Sequence, residues 1–363
     1  GEAPASVAGP FKAIASTYYH TCALKLNGDA QCWGSNASGQ APALVTGPFV
    51  SIATGVDFSC AVKTDGDVQC WGSNSYNRAP PSGVKTGFSA VATGELHACA
   101  LQTNSNYGNA VCWGDNYYYQ APPAGVTGPF TTLAVGGYGY HTCALKTNGD
   151  AQCWGRNNMG QAPLAGVVGP FKQIVQGQTH TCALKNNGDA QCWGENTNGQ
   201  APPAGVAGPF AQLAGGQNHT CALKTNGDAQ CWGNNAYAQA PASVTGPFTQ
   251  IATAQNHTCA LKPNGDAQCW GYNGSGQAPP AGVTGPFKQI TAGHGYNCAL
   301  KTNGDAQCWG QNIYGEAPPA GVAGPFTQLI SGSTYTCGIK ITGDAQCWGY
   351  NGNWQAPPAG VSG

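Results

Sequence analysis

Apolar and polar positions alternate along this chain in a short, repeated order. A run such as Phe171-Lys-Gln-Ile-Val175 is long enough for one strand, and after a brief loop come His-Thr-Cys-Ala-Leu-Lys, a polar turn, and Asp-Ala-Gln-Cys-Trp-Gly. Turn chemistry midway between two extended runs predicts a β-hairpin. In the copy from His141 to Gly155, a Thr147-Asn148-Gly149 loop with its glycine in the left-handed conformation sets Lys146 opposite Asp150, Leu145 opposite Ala151 and Cys143 opposite Cys153. Each period therefore predicts three strands.

The period recurs nine times, opening at Phe11, Phe49, Phe88, Phe130, Phe171, Phe210, Phe248, Phe287 and Phe326. Repeats of this length make residues 1–363 one domain, an array of nine units rather than two or three separate domains. Eight copies carry the turn-flanking Lys and Asp, while the third has Gln102 and Asn109, losing both charges together as a cross-hairpin pair would. Between units run connectors of the type Gln-Ala-Pro-Pro-Ala-Gly-Val, whose prolines disfavour continued pairing. Residues 1–8 read as a surplus connector at the seam, able either to cover it or to dock head-to-tail on a second molecule.

Three strands cannot bury both faces alone, so units must stack on their neighbours, as in a propeller or solenoid. The Trp of each unit, from Trp33 to Trp348, is assigned to that packing, and the His before the first Cys to the same framework. Phe58, Tyr296 and Tyr335 replace this His elsewhere, which argues against a metal ring.

Opposed cysteines at a non-hydrogen-bonded site are close enough for a disulfide. The expected pairs are Cys22 with Cys32, Cys60 with Cys70, Cys99 with Cys112, Cys143 with Cys153, Cys182 with Cys192, Cys221 with Cys231, Cys259 with Cys269, Cys298 with Cys308 and Cys337 with Cys347. Free core thiols fit an even count at fixed spacing poorly, and zinc lacks its close Cys-x-x-Cys spacing. Paired cysteines in this number imply an oxidising, secreted setting, with any leader already removed before Gly1.

Glycine is abundant, no run has helical periodicity or membrane-spanning length, and the class is all-β. Only 8% of residues are charged, with a net charge of −1, so neither nucleic acid nor an anionic membrane surface is an expected partner.

The motif His-Thr-Cys-Ala-Leu-Lys-Thr-Asn-Gly-Asp-Ala-Gln-Cys-Trp-Gly-x-Asn-x-x-Gly-Gln resembles the RCC1-type repeat, and the resemblance covers all nine units. It implies a β-propeller, here nine-bladed with about three strands per blade. The short period and connectors look closer to the secreted bacterial branch of that superfamily, which includes a β-lactamase-inhibiting propeller, than to the nuclear exchange factor. Chromatin binding and nucleotide exchange do not carry over, because the loops they require have no match here.

Strand direction places the loop before His-Thr-Cys and the loop after Trp-Gly at one end, with the Thr-Asn-Gly turns at the other. The turns are nearly uniform, whereas both neighbouring loops vary and are rich in Tyr, Asn, Ser and Gly, a composition suited to recognition. Two clusters are expected on the variable face: Tyr117, Tyr118 and Tyr119 with Tyr138 and Tyr140, and, if the ring closes, Tyr350 and Trp354 with Tyr18 and Tyr19. The charged residues Asp57, Glu95, Asp115, Arg156 and Glu195 are scattered among units and form no catalytic pair. No phosphate loop, zinc-protease motif or Ser-His-Asp set stands outside the framework, so no cofactor, metal or enzyme activity is expected. The sequence points to an extracellular module that recognises a protein, for adhesion or inhibition. The alternatives are a multivalent lectin binding glycans and a structural subunit of an extracellular assembly.

Overall fold

In the computed structural model the described residues are 6–85, 87–103, 108–135 and 140–352. Each period forms one antiparallel sheet of three strands, giving nine sheets in succession. In unit four the strands are Phe130–Val135, His141–Lys146 and Ala151–Gly155, with His141–Lys146 in the middle. The first strands of units one and five to nine end on one shared central cavity, so first strands are innermost. The fold is a nine-bladed β-propeller of the RCC1 type.

The hairpin register is the expected one. Cys143 faces Cys153 and Leu145 faces Ala151, the Lys146 amide donates to the Asp150 carbonyl at 2.8 Å, and Gly149 has φ +86°. Cystines link all nine pairs, from Cys22 with Cys32 to Cys337 with Cys347, at Cα separations of 4.0–4.1 Å. No free cysteine remains, which fits an oxidising, non-cytosolic compartment. Among the described residues no helix is long and apolar enough to cross a membrane.

Apolar clusters lie between units rather than within them. Cys143, Leu145, Ala151 and Cys153 of unit four pack with Phe171, Ile174, Ala183 and Trp193 of unit five, so each cystine forms part of a wall met by the next unit's Trp. The same arrangement closes the ring. Tyr335, Cys337 and Cys347 of unit nine pack with Phe11, Ala23 and Trp33 of unit one, and the Trp33 indole N–H donates to Cys347 Sγ at 3.2 Å.

Each connector returns to its own unit at one residue. Val167 bridges Ala151, and six of the other connectors do likewise from Val84 with Val68 to Val322 with Ala306, after Val45 with Ala30 at the start of the series. In unit nine this place belongs to the N-terminal segment Ser6–Val7, where Val7 pairs with Ala345, the Gly9 amide donates to Asp344 Oδ1 and the Phe11 amide donates to the Gly343 carbonyl, both at 2.8 Å. Of the segment considered for head-to-tail docking, Ser6 and Val7 are seated on the protein's own ring, and residues 1–5 lie outside the described residues.

The charged turn pair works differently from the expectation. Asp150 Oδ1 accepts the Gly169 amide at 2.8 Å and Oδ2 accepts from the Asn148 side chain at 2.7 Å. The bond to Gly169 is the main reason that the Asp150 carboxyl lies below its usual range, and the Lys146 charge is the smallest contributor. Asn109 keeps the equivalent acceptor, taking the Gly128 amide at 2.8 Å. The third unit thus preserves the connector bond without the carboxylate charge. Asp150→Asn, which keeps the acceptor but not the charge, should accordingly lower the melting temperature less than Asp150→Ala. Thermal melts of the two variants compare the readings directly.

Candidate functional site

The loops after Trp-Gly are held by two framework side chains. In unit three Asn116 Oδ1 accepts the Ala121 amide at 2.9 Å, and Gln120 Oε1 accepts the Tyr118 amide at 2.8 Å. The same pair of bonds recurs in unit six through Asn235 and Gln239. With the loop shape set from within, the intervening positions are free to differ between units.

On this frame units three and four form an aromatic and charged cluster. Tyr117 meets Tyr118 edge-on at 4.8 Å between ring centroids, Tyr118 packs on Tyr140 at 5.7 Å, and the Arg156 guanidinium lies over Tyr118 at 5.4 Å. Tyr140 hydrogen-bonds Glu95, whose carboxyl is raised by partial burial despite that bond. Burial, followed by the Glu95 charge, raises the Tyr140 phenol. Tyr117, Tyr118 and Tyr140 are therefore brought together, with Glu95 and Arg156 joining two charges that looked scattered in sequence. Tyr138 lies outside the described residues.

The neighbour relation follows a rule. The fourth residue after one unit's Trp-Gly packs on the first residue after the next unit's: Tyr118 on Arg156, Tyr237 on Tyr272 at 5.1 Å, and Tyr314 on Tyr350 at 4.9 Å. Tyr350 thus finds its ring partner in unit eight. Tyr18 and Tyr19 pack on each other at 6.0 Å, and Trp354 lies outside the described residues. Sequence reading had placed Tyr350 by ring closure alone and missed the Tyr237 and Tyr314 pairs. Aligning the first and fourth loop positions of successive units would have suggested them.

Tyr119 has φ +63°, at a position where Gly39, Gly160, Gly199, Gly276 and Gly315 supply left-handed conformations in other units and where Asn77 and Ala238 adopt it without glycine. A tyrosine is strained there by roughly 1–2 kcal/mol, yet its side chain is 75% exposed and gains little packing.

Other polar groups at this end are structural. Asp57 pairs with buried Arg78 at 2.6 Å, and Glu195 accepts from Thr179 at 2.5 Å and Thr197 at 2.8 Å. Each framework His reaches into the next unit: His141 Nε2 to Thr181 Oγ1 at 3.0 Å, His180 to Thr220 at 2.9 Å and His219 to Thr258 at 2.9 Å. Thr181 in turn donates to the Gln161 carbonyl at 3.4 Å, leaving its lone pair for an Nε2–H donor. His257 makes the same assignment by donating to Asn297 Oδ1 at 2.9 Å. Among the described residues no three His, Cys, Asp or Glu side chains converge as a metal site.

The repeat model described as "Regulator of chromosome condensation (RCC1) repeat" matches residues 11–40, 49–78, 132–161, 171–200, 210–239, 248–277 and 287–316, more than half of the chain. No curated protein sequence matches it. Among solved structures, human WBSCR16 is 16% identical, covering 87% of this chain and 98% of its own, with a TM-score of 0.50. The ectodomain of the Physcomitrella patens receptor kinase CR4 is 26% identical over 72% of each chain, with a TM-score of 0.47. Prp20p from Saccharomyces cerevisiae, described with its binding to Gsp1p and histones, is 17% identical over 93% of this chain and 82% of its own, with a TM-score of 0.47. On its repeat matches and its ring of three-stranded blades, the chain belongs to the RCC1 repeat family.

Proposed function

We propose that this protein is a secreted, non-enzymatic recognition module that binds an extracellular protein through its variable loop face, with adhesion or inhibition as the outcome. The observation that carries this reading is the cluster of Tyr117, Tyr118, Tyr140, Arg156 and Glu95 across units three and four, with strained, exposed Tyr119 beside it. Tyrosines fixed by their neighbours offer contact area at low entropic cost, and the adjacent charges orient a partner. The nine cystines support the secreted part of this reading, since they fit an oxidising, non-cytosolic compartment.

The test is capture from the native extracellular medium with the oxidised protein and two variants. Tyr118→Ala with Arg156→Ala should lose the captured protein by about tenfold or more. Lys146→Ser, on the uniform turn face, should retain it. Retention by the first variant, or loss with the second, contradicts the reading. Selective capture of a glycan without protein would favour the lectin alternative.

Tyr119→Gly separates function from stability. The glycine relieves the left-handed strain and should stabilise the ring by about 1 kcal/mol, while weakening partner binding. A thermal melt and a binding titration of the same preparation check both directions.

A further inference from the structure

We propose that two copies of this chain associate face to face through an aliphatic strip at the seam of the turn face, opposite the variable loops. The first residue of the hairpin turn is Thr, Asn or Pro in units two to eight, but Leu26 in unit one and Ile341 in unit nine, the two units that meet where the ring closes. Both are strongly exposed, Ile341 by 71% and Leu26 by 63%. A third aliphatic side chain, Val50 at the start of unit two, is 50% exposed, where the other units have Lys, Ser, Thr or Ala.

Backbone contacts make these positions continuous. The Leu26 amide donates to the Pro10 carbonyl at 3.0 Å, and Pro10 lies so close to the turn of unit nine that a Cβ on Gly343 would stand 2.5 Å from the proline's own. On the other side the Phe49 amide donates to the Gly28 carbonyl at 2.7 Å, which brings Pro48 and Val50 up to the turn that carries Leu26. Ile341, Pro10, Leu26, Pro48 and Val50 therefore run in order across units nine, one and two, and all five are exposed. The ring does not need the aliphatic side chains at the turns. The Ile341 amide bonds the Pro325 carbonyl at 2.9 Å, and Thr302 makes the same bond to Pro286 at 3.1 Å with a polar side chain in that place. Exposed apolar residues that internal packing does not use, gathered into one strip, mark an interaction surface.

Charge identifies the occupant as a second copy. The strip is flanked by Lys25 and Asp29 on one turn and by Lys340 and Asp344 on the other, with Lys12 between them donating to the Phe49 carbonyl at 3.4 Å. The carboxylates are fixed in place: Asp29 Oδ1 accepts the Gly47 amide and Asp344 Oδ1 the Gly9 amide, each at 2.8 Å. Neither Lys25 nor Lys340 has a salt bridge among the described residues. A rim that carries both signs favours neither an acidic nor a basic partner. It complements itself about a twofold axis, which sets lysines of one copy against aspartates of the other. Because the turns lie at the opposite end from the Trp-Gly loops, both recognition faces of such a pair point outward, and the pair gains avidity for a partner that offers two sites. The strip is smaller than a standard interface, so the pair should be weak, with a dissociation constant on the order of 10–100 μM.

Sedimentation velocity of the oxidised protein, from about 1 μM to about 1 mM, tests the contact with no partner present, so its failure is distinguishable from failure of the recognition reading. The native chain should pass from one copy of 36.9 kDa to two as concentration rises. Leu26→Thr, Val50→Thr and Ile341→Thr together should raise the dissociation constant by about tenfold or more. Unit four already carries Thr at both kinds of position, Thr147 in the turn and Thr131 in the first strand, so the variant should melt like the native ring. Leu26→Thr alone serves if the triple variant does not fold. Tyr118→Ala, on the opposite face, should leave pairing unchanged. The proposal is overturned if the native chain stays single at the highest concentration, if its mass climbs past two copies, if the Thr variant pairs as the native chain does, or if Tyr118→Ala abolishes pairing. Binding of single copies to phosphatidylcholine vesicles, lost in the Thr variant, would also overturn it by assigning the strip to a lipid surface.

Discussion

Refolding in the presence of a reductant is expected to yield no ring at all. Each cystine closes a short hairpin loop, ten residues apart in sequence in all units but the third, where the separation is thirteen. On the chain-entropy model each bridge contributes about 2–3 kcal/mol, so nine contribute on the order of 20–25 kcal/mol. That exceeds the roughly 5–15 kcal/mol by which a folded protein normally outweighs its unfolded state. The loss also spreads between units, because the cystine of unit four lies in the cluster that receives Trp193 of unit five. Since the sulfurs are buried, reduction of the folded protein should be slow, and refolding is the informative direction. A native far-ultraviolet spectrum and a cooperative melt recovered with all eighteen thiols reduced would show that blade packing suffices without the bridges. A single pair, Cys143→Ala with Cys153→Ala, should cost about 2–3 kcal/mol, read from denaturant unfolding.

The second large effect is acid unfolding. His20, His97, His180 and His257 are lowered to about 4, and His141 and His219 to about 3, chiefly because burial disfavours the imidazolium. Below pH 6.5 the unfolded chain therefore binds protons that the folded chain refuses. Their stabilisation is fully present above 6.5 and is lost progressively as pH falls toward 4 and then 3. Each imidazole contributes on the order of 3–5 kcal/mol over that window, so six should produce a steep, cooperative transition on the acid side of neutrality. The Asp carboxyls at the turns, lowered by connector amides, add to the loss only when pH falls through their own lower range.

Unit two supplies a test of this assignment. There Phe58 stands in the His position, and Ala98 stands in the next unit where the partner hydroxyl would be. Both are fully buried, so the unit replaces the imidazole–hydroxyl bond with an apolar contact. Transplanting that solution as His219→Phe with Thr258→Ala should remove one histidine's share of the acid dependence. It should also be more stable than Thr258→Ala alone, which strands the His219 donor. Proton uptake on unfolding, measured at pH 5, should fall by about one. No change would place the acid sensitivity elsewhere.

The strands, hairpin register, cystine pairing and inter-unit Trp were legible because each depends on contacts within one period or on its repetition. Contacts between periods were harder to read. The Asp150 carboxylate looked like the partner of Lys146 across the turn, but its main bond is to Gly169 in the connector, where local spacing gives no clue. The His141–Thr181 bond joins residues forty positions apart. Its sequence signal, the simultaneous appearance of Phe58 and Ala98, becomes meaningful only when consecutive units are compared. The variable face was found by comparing units, and the Tyr117, Tyr118 and Tyr140 contacts lie on it. Tyr350 was assigned toward unit one because the ring was expected to close there, whereas the first loop position packs on the preceding unit, against Tyr314. The central cavity was not foreseen because its wall is contributed by six separate units.

The most direct test of the functional account is cross-linking with mass-spectrometric mapping of the native protein bound to its captured extracellular partner. The account predicts links concentrated on the loops after Trp-Gly in units three and four, with the turn face, including Lys146, Lys185 and Lys224, left free. Links concentrated on that turn face would contradict it.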